Sequence, residues 1–102
     1  MLTAHELSPA LPAPERLVTE TRAEFRRVAL EHVERAAAGS APRIYVDLGA
    51  TKDIDASGLG VLVLVQKRAR ERMIATRLLN VGASVRQMLQ LTKLDYLFEL
   101  EG

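Results

Sequence analysis

The sequence predicts an α/β sandwich in which one small parallel sheet is covered by helices, and three observations lead there. Two short β-rich stretches, Arg43–Leu48 and Thr76–Asn80, alternate with three stretches of helical periodicity. Strand–helix–strand crossovers of this length require parallel pairing, with the helices laid over the sheet. The chain has 102 residues, 48% hydrophobic and 26% charged, which suits one domain with one core, residues 1–102.

Residues 1–15 read as irregular backbone or an edge strand. Leu2–Leu7 has the composition of a short edge strand, and Pro9, Pro12 and Pro14 then remove backbone donors. Thr19 or Thr21 can cap the first helix, and Thr21 with Glu24 has the spacing of a capping box. Phe25, Val28, Ala29, Val33 and Ala36 form its apolar face, and it ends before Gly39 and Pro42. Arg43–Leu48 is a buried strand, and 49–56 is a loop into the second helix. Leu59–Val65 alone is ambiguous between strand and helix. Leu59, Leu62, Val65, Ala69 and Met73 recur at steps of three or four, which decides for a helix with a buried first half. Thr76–Asn80 is the next strand, Ser84 caps a helix carrying Val85, Met88 and Leu89, and Leu94–Phe98 is an apolar segment that must dock.

Several function classes are disfavoured. The formal charge of +1 gives no basic field for nucleic acid. The basic residues Lys67, Arg68, Arg70 and Arg72, with Arg77 and Arg86, are interrupted by Glu71 and lack interleaved aromatics. They read as a solvated face or a contact for an acidic partner. The absence of cysteine removes disulfide and thiolate chemistry and fits a cytoplasmic setting. His5 and His32 have no second ligand at metal spacing, and no cofactor motif is complete. The N-terminus does not read as a signal peptide, and Leu59–Val65 is too short to span a bilayer, which needs about 20 residues.

The segment Asp47–Gly60 is where chemistry would collect, at the end of a strand that feeds a helix. Ser57 stands where an N-cap belongs, and its hydroxyl would accept from a first-turn amide. Gly58 and Gly60 leave room for another molecule to approach the backbone. A phosphate on Ser57 would lie at the positive end of the helix and add roughly −1.5 to −2 charges beside Asp53 and Asp55. The alternative is purely structural: serine is a favoured cap, and Gly-Leu-Gly permits close helix–sheet packing.

Other chemistries fit less well. A nucleophile elbow needs glycine where Asp55 stands, and no histidine is placed as a base. The third glycine of a dinucleotide fingerprint is replaced by Val63, and a Gly-Lys-Ser/Thr loop is absent. Asp47, Asp53 and Asp55 could suggest a magnesium site or an aspartyl-phosphate acceptor, but no early strand supplies a second acidic pair.

Val46-Asp-Leu-Gly49, Ile54-Asp-Ala-Ser-Gly-Leu-Gly-Val-Leu62 and Leu79-Asn-Val-Gly-Ala-Ser-Val-Arg-Gln-Met-Leu-Gln-Leu-Thr-Lys-Leu94 resemble a STAS domain, in particular the bacterial anti-sigma-factor antagonists. The likeness covers residues 43–98. It implies a small, mostly parallel sheet with helices on one face. It also implies that Ser57 is phosphorylated by a partner anti-sigma factor that is a serine kinase. The unmodified antagonist binds that kinase, phosphorylation blocks binding, and a PP2C-type phosphatase restores it. By position, Asp53, Asp55, Ala56, Gly58 and Gly60 surround the phosphosite, and Leu59 and Leu62 belong to the helix that faces the partner. The proline-rich start implies an abbreviated N-terminal hairpin, whose open edge favours pairing with a second copy. Ala56 replaces a common serine, and Lys93 stands where glycine often ends the last helix. On this reading the chain is a non-enzymatic binding switch. An adaptor subunit of a lipid or ABC transport complex, or a signalling scaffold, would use the same fold without phosphorylation.

Overall fold

Parallel strands buried on one face by crossover helices organise the chain, and the computed structural model describes residues 9–101. Strand β1 is Leu11–Pro12, β2 Arg16–Leu17, β3 Arg43–Asp47, β4 Asp53–Ile54, β5 Ala75–Leu79 and β6 Glu99–Glu101. Helix α1 is Arg22–Ala38, α2 Ala56–Glu71 and α3 Ala83–Leu91. Strands β1, β3, β5 and β6 form one sheet in that order, and β2 with β4 forms a two-stranded sheet. All these pairings are parallel.

Side-chain alternation along β3 and β5 sets the layers. Ile44, Val46 and Leu78 join one core with Phe25, Ala29 and Val33 of α1, Leu59, Leu62, Val65 and Ala69 of α2, and Val85 and Leu89 of α3. The opposite face carries Arg43, Arg77 and Glu99. The Glu99 carboxylate accepts from Arg43 Nε at 2.5 Å and from Arg77 Nε at 3.1 Å, tying three strands together. Those contacts, the Arg43 hydrogen bond first, hold Glu99 below the usual carboxylate range against the opposing effect of burial.

The helices, β3 and β5 agree with the sequence reading, and the caps do not. Thr21 is at the start of α1, but its hydroxyl donates back to Arg16 O at 2.6 Å, and Glu24 binds Arg27 at 2.6 Å instead. No capping box forms. Helix α3 starts after Gly82, so Ser84 is its second residue and not its cap. The loop expected over 49–56 contains β4, and the terminal apolar segment becomes a 3-10 turn, Asp95–Leu97, followed by β6. Phe98 is buried between them. Lys93 takes φ 59°, the left-handed value that glycine adopts freely after a helix. Of the N-terminal expectations, Leu2–Leu7 lies outside the described residues. Leu11–Pro12 is an edge strand. No hairpin exists among the described residues, because β1 and β2 pair with β3 and β4 respectively and not with each other.

Among the described residues one buried hydroxyl is left over. Thr76 is 3% exposed, faces the helices from β5, and its Oγ1 has no hydrogen-bond partner. Thr76→Val keeps the β-branched shape and removes the unsatisfied group. It is expected to raise the free energy of unfolding by about 1 kcal/mol, read from urea denaturation.

Candidate functional site

Helix α2 begins because Asp55 stops the extended backbone of β4 and caps the first helical turn. Its φ is −112° and ψ −176°, and its Oδ1 accepts from Gly58 N at 2.8 Å. The Asp55 carbonyl then accepts the first helical bond, from Leu59 N at 2.9 Å. Ser57 is therefore the second residue of α2 and not its cap, which corrects the expectation from sequence. An aspartate two residues upstream already fills the capping position, so the serine hydroxyl is not used for capping.

That hydroxyl sits in a small polar cluster. Thr19, in the turn between β2 and α1, donates from its Oγ1 to Ser57 Oγ at 3.0 Å and to Asp55 Oδ2 at 3.3 Å, its single proton serving one at a time. Thr19 N also donates to Asp55 Oδ2, at 3.1 Å. The Gly58 amide, then Thr19's two groups and the Ser57 amide, hold the Asp55 carboxyl below its ordinary range, partly opposed by desolvation. A depressed carboxylate contributes stability that is complete above its unfolded value, about 3.9, and is lost as pH falls through the lower folded value. Asp55→Asn keeps a capping acceptor without the charge. The stability gap between wild type and Asp55→Asn is expected to close as pH falls below about 4. A gap constant from neutral pH into acid in urea titrations would show that the carboxylate charge plays no part.

On its other side Ser57 opens onto a groove between α1 and α2 of about 490 Å³, lined by Arg22, Ala23, Arg26, Ala56, Ser57, Gly60, Val61 and Leu64. Ala56 and Gly60 are exposed and Ser57 is half-buried. A Cβ on Gly60 would meet nothing within 4 Å, so this position is open.

The other expected site residues separate. Gly58 is buried, and a Cβ there would fall 1.9 Å from Leu17 O. Its missing side chain serves close packing within this chain, not approach by another molecule. Leu59 and Leu62 are 5% and 1% exposed and belong to the core, so they cannot present side chains to a partner. Asp53 is exposed in β4 and pairs with Arg16 at 3.6 Å. Asp47 is used elsewhere: its Oδ1 accepts from Gly49 N at 2.8 Å and Asn80 Nδ2 at 3.0 Å. Among the described residues no three acidic or histidine groups converge as metal ligands. The basic residues do not form one stripe either, since Arg68 pairs with Glu71, Arg72 with Glu34 and Arg77 with Glu99. Among the described residues no helix is long and apolar enough to cross a membrane.

Three contributors were missed from sequence: Thr19, and Arg22 with Arg26 on the facing helix. Thr19 was read as a candidate helix cap. The signal for the arginines was their spacing of four, which places both on one face of α1.

A parallel α/β sandwich with a serine presented at the first turn of a helix, beside an aspartate cap, defines the class of domain. The chain belongs to the STAS domain family, whose model matches residues 9–101. No curated protein matches it at a significant level. Among solved structures it is similar to a Thermotoga maritima protein proposed to be an anti-sigma factor antagonist. The TM-score is 0.74 and the identity 20%, covering 97% of this chain and 89% of that one. It is also similar to an anti-sigma-factor antagonist (STAS) domain protein from Planctomyces limnophilus. There the TM-score is 0.77 and the identity 21%, covering 89% and 79%. The anti-sigma factor antagonist SpoIIAA in its unphosphorylated form gives a TM-score of 0.56 and 15% identity, covering 91% and 74%. At these identities the likeness is one of fold.

Proposed function

We propose that this chain is an anti-sigma-factor antagonist that binds a partner anti-sigma factor with serine kinase activity and is released by phosphorylation at Ser57. The observation that carries this reading is the placement of Ser57. It lines a groove in the first turn of α2, and Asp55 relieves its hydroxyl of the capping task. The surface offered to the partner is Ala56, Ser57, Gly60 and Leu64 of α2, with Arg22 and Arg26 of α1.

The chemistry needs no base in this chain. The kinase transfers the γ-phosphoryl group of ATP to Ser57 Oγ. The bond from that phosphorus to the bridging oxygen of ADP breaks, and the hydroxyl proton passes to a base of the kinase. The acceptor loses a neutral donor and gains a group of roughly −1.5 to −2 charges in the middle of the contact surface. A PP2C-type phosphatase would reverse the change by hydrolysis. A kinase partner that uses ATP places this exchange in the cytoplasm.

The test is acceptor mapping with the candidate kinase and ATP, followed by intact-mass and fragment spectra. One phosphate on Ser57, and none on Ser57→Ala, is expected. Phosphate on Thr19 or Ser84 with Ser57 unmodified would overturn the reading.

A further inference from the structure

Ser57 stands between two surroundings of opposite charge. On one side are Thr19 and the Asp55 carboxylate. On the other is the groove, lined by two arginines and no carboxylate. Arg22 and Arg26 are exposed, one helical turn apart. Elsewhere on α1, Arg27 binds Glu24 and Glu31, and Glu34 binds Arg72, while the exposed Glu20 precedes the helix. Among the described residues neither Arg22 nor Arg26 has an ion-pair partner. Two arginines without a carboxylate partner, lining the same groove as Ser57, are suited to a tetrahedral dianion, since each guanidinium presents donors in a planar fork.

We infer that Arg22 and Arg26 form an intramolecular receptor for the phosphate on Ser57, resting on the reading of Ser57 as a phosphoacceptor. Repelled by Asp55, the phosphate turns away from Thr19 and into the groove, where the two arginines bind it. Modification then changes more than one side chain. It occupies the part of the groove beside Ser57 and offsets the two positive charges, so the surface that a partner meets differs in shape and in charge on both helices.

The test installs Ser57 as phosphoserine during synthesis, so no kinase takes part. Phosphorus NMR then follows the second ionisation of the phosphate against pH in the folded chain and in the same chain unfolded by urea. A free phosphoserine ionises near pH 6. In the folded chain the transition is expected about one pH unit lower, the shift that close opposite charges produce. In Arg22→Gln/Arg26→Gln it is expected to return to the unfolded value, with each single variant giving part of the effect. The singles also serve as the reading if the double variant does not fold. A folded wild-type transition at the unfolded value would overturn the receptor. So would a lowered one that all the arginine variants leave unchanged, because the helix amides would then account for it. Either result leaves the kinase-dependent switch standing. A kinase that ignores Ser57 would sink the switch without altering this titration.

Discussion

Gly58→Ala is expected to destabilise the domain by roughly 3 kcal/mol, the upper end of the usual range for overpacking. The new Cβ would fall 1.9 Å from Leu17 O and 2.7 Å from Leu17 C, both backbone atoms that cannot rotate aside. Leu17 is fully buried, pairs with Ile54 in the β2–β4 sheet, and its carbonyl accepts from Asp55 N at 3.3 Å. Relief therefore means moving β2, and with it the backbone that positions Thr19 and Asp55. For a domain of this size the loss corresponds to a midpoint lower by roughly 10–20 °C in thermal unfolding. Gly60, two residues on, supplies the contrast. A Cβ there meets nothing, so Gly60→Ala gains the helix preference of alanine, about 0.5–1 kcal/mol, and raises the midpoint. Equal effects of the two substitutions would show that α2 does not lie against Leu17.

The second large effect is on binding. Ser57→Asp is expected to weaken the complex with the partner kinase about 100-fold or more. A charge pressed into an interface where the partner offers no counter-ion costs about 2–5 kcal/mol, and each 1.4 kcal/mol is tenfold in affinity. Ser57→Ala deletes a hydroxyl whose partner, Thr19, is itself exposed to water. It is expected to stay within about threefold of wild type, the range of an unstrained surface substitution. Calorimetric titration of the purified partner with each variant separates the two. Comparable affinities for both would remove the electrostatic basis of the switch.

How much of this was legible depends on the range of the interactions. Strands β3 and β5 were readable because Ile44, Tyr45 and Val46, and Leu78 with Leu79, form dense apolar runs with marked ends. Helix α1 was readable from the period of Phe25, Ala29 and Val33. Strand β4 was not, because two residues carry no period and are held by β2, thirty-seven positions away in register (Arg16 with Asp53). The start of α2 was placed too late because Asp55 and Ser57 are both competent caps. What decides between them is the approach of Leu17 O to Gly58, a contact with no local signature. Leu59–Val65 is apolar throughout, so its inward face could not be read. Packing in the core buries Leu59 and Leu62, and Leu64 lies at the groove. Arg22 and Arg26 look like Arg27 in sequence, and they differ only in lacking a carboxylate partner in the fold.

Placement of Ser57 at the groove in the first turn of α2, uncommitted to capping, underlies the whole functional account. The measurement that tests it most directly is a titration of the purified anti-sigma kinase with this chain, unmodified and with Ser57 installed as phosphoserine. An unmodified chain that binds, and a phosphorylated one about 100-fold weaker or worse, is the predicted result. Equal affinities would contradict the switch and leave the domain an adaptor that Ser57 does not control.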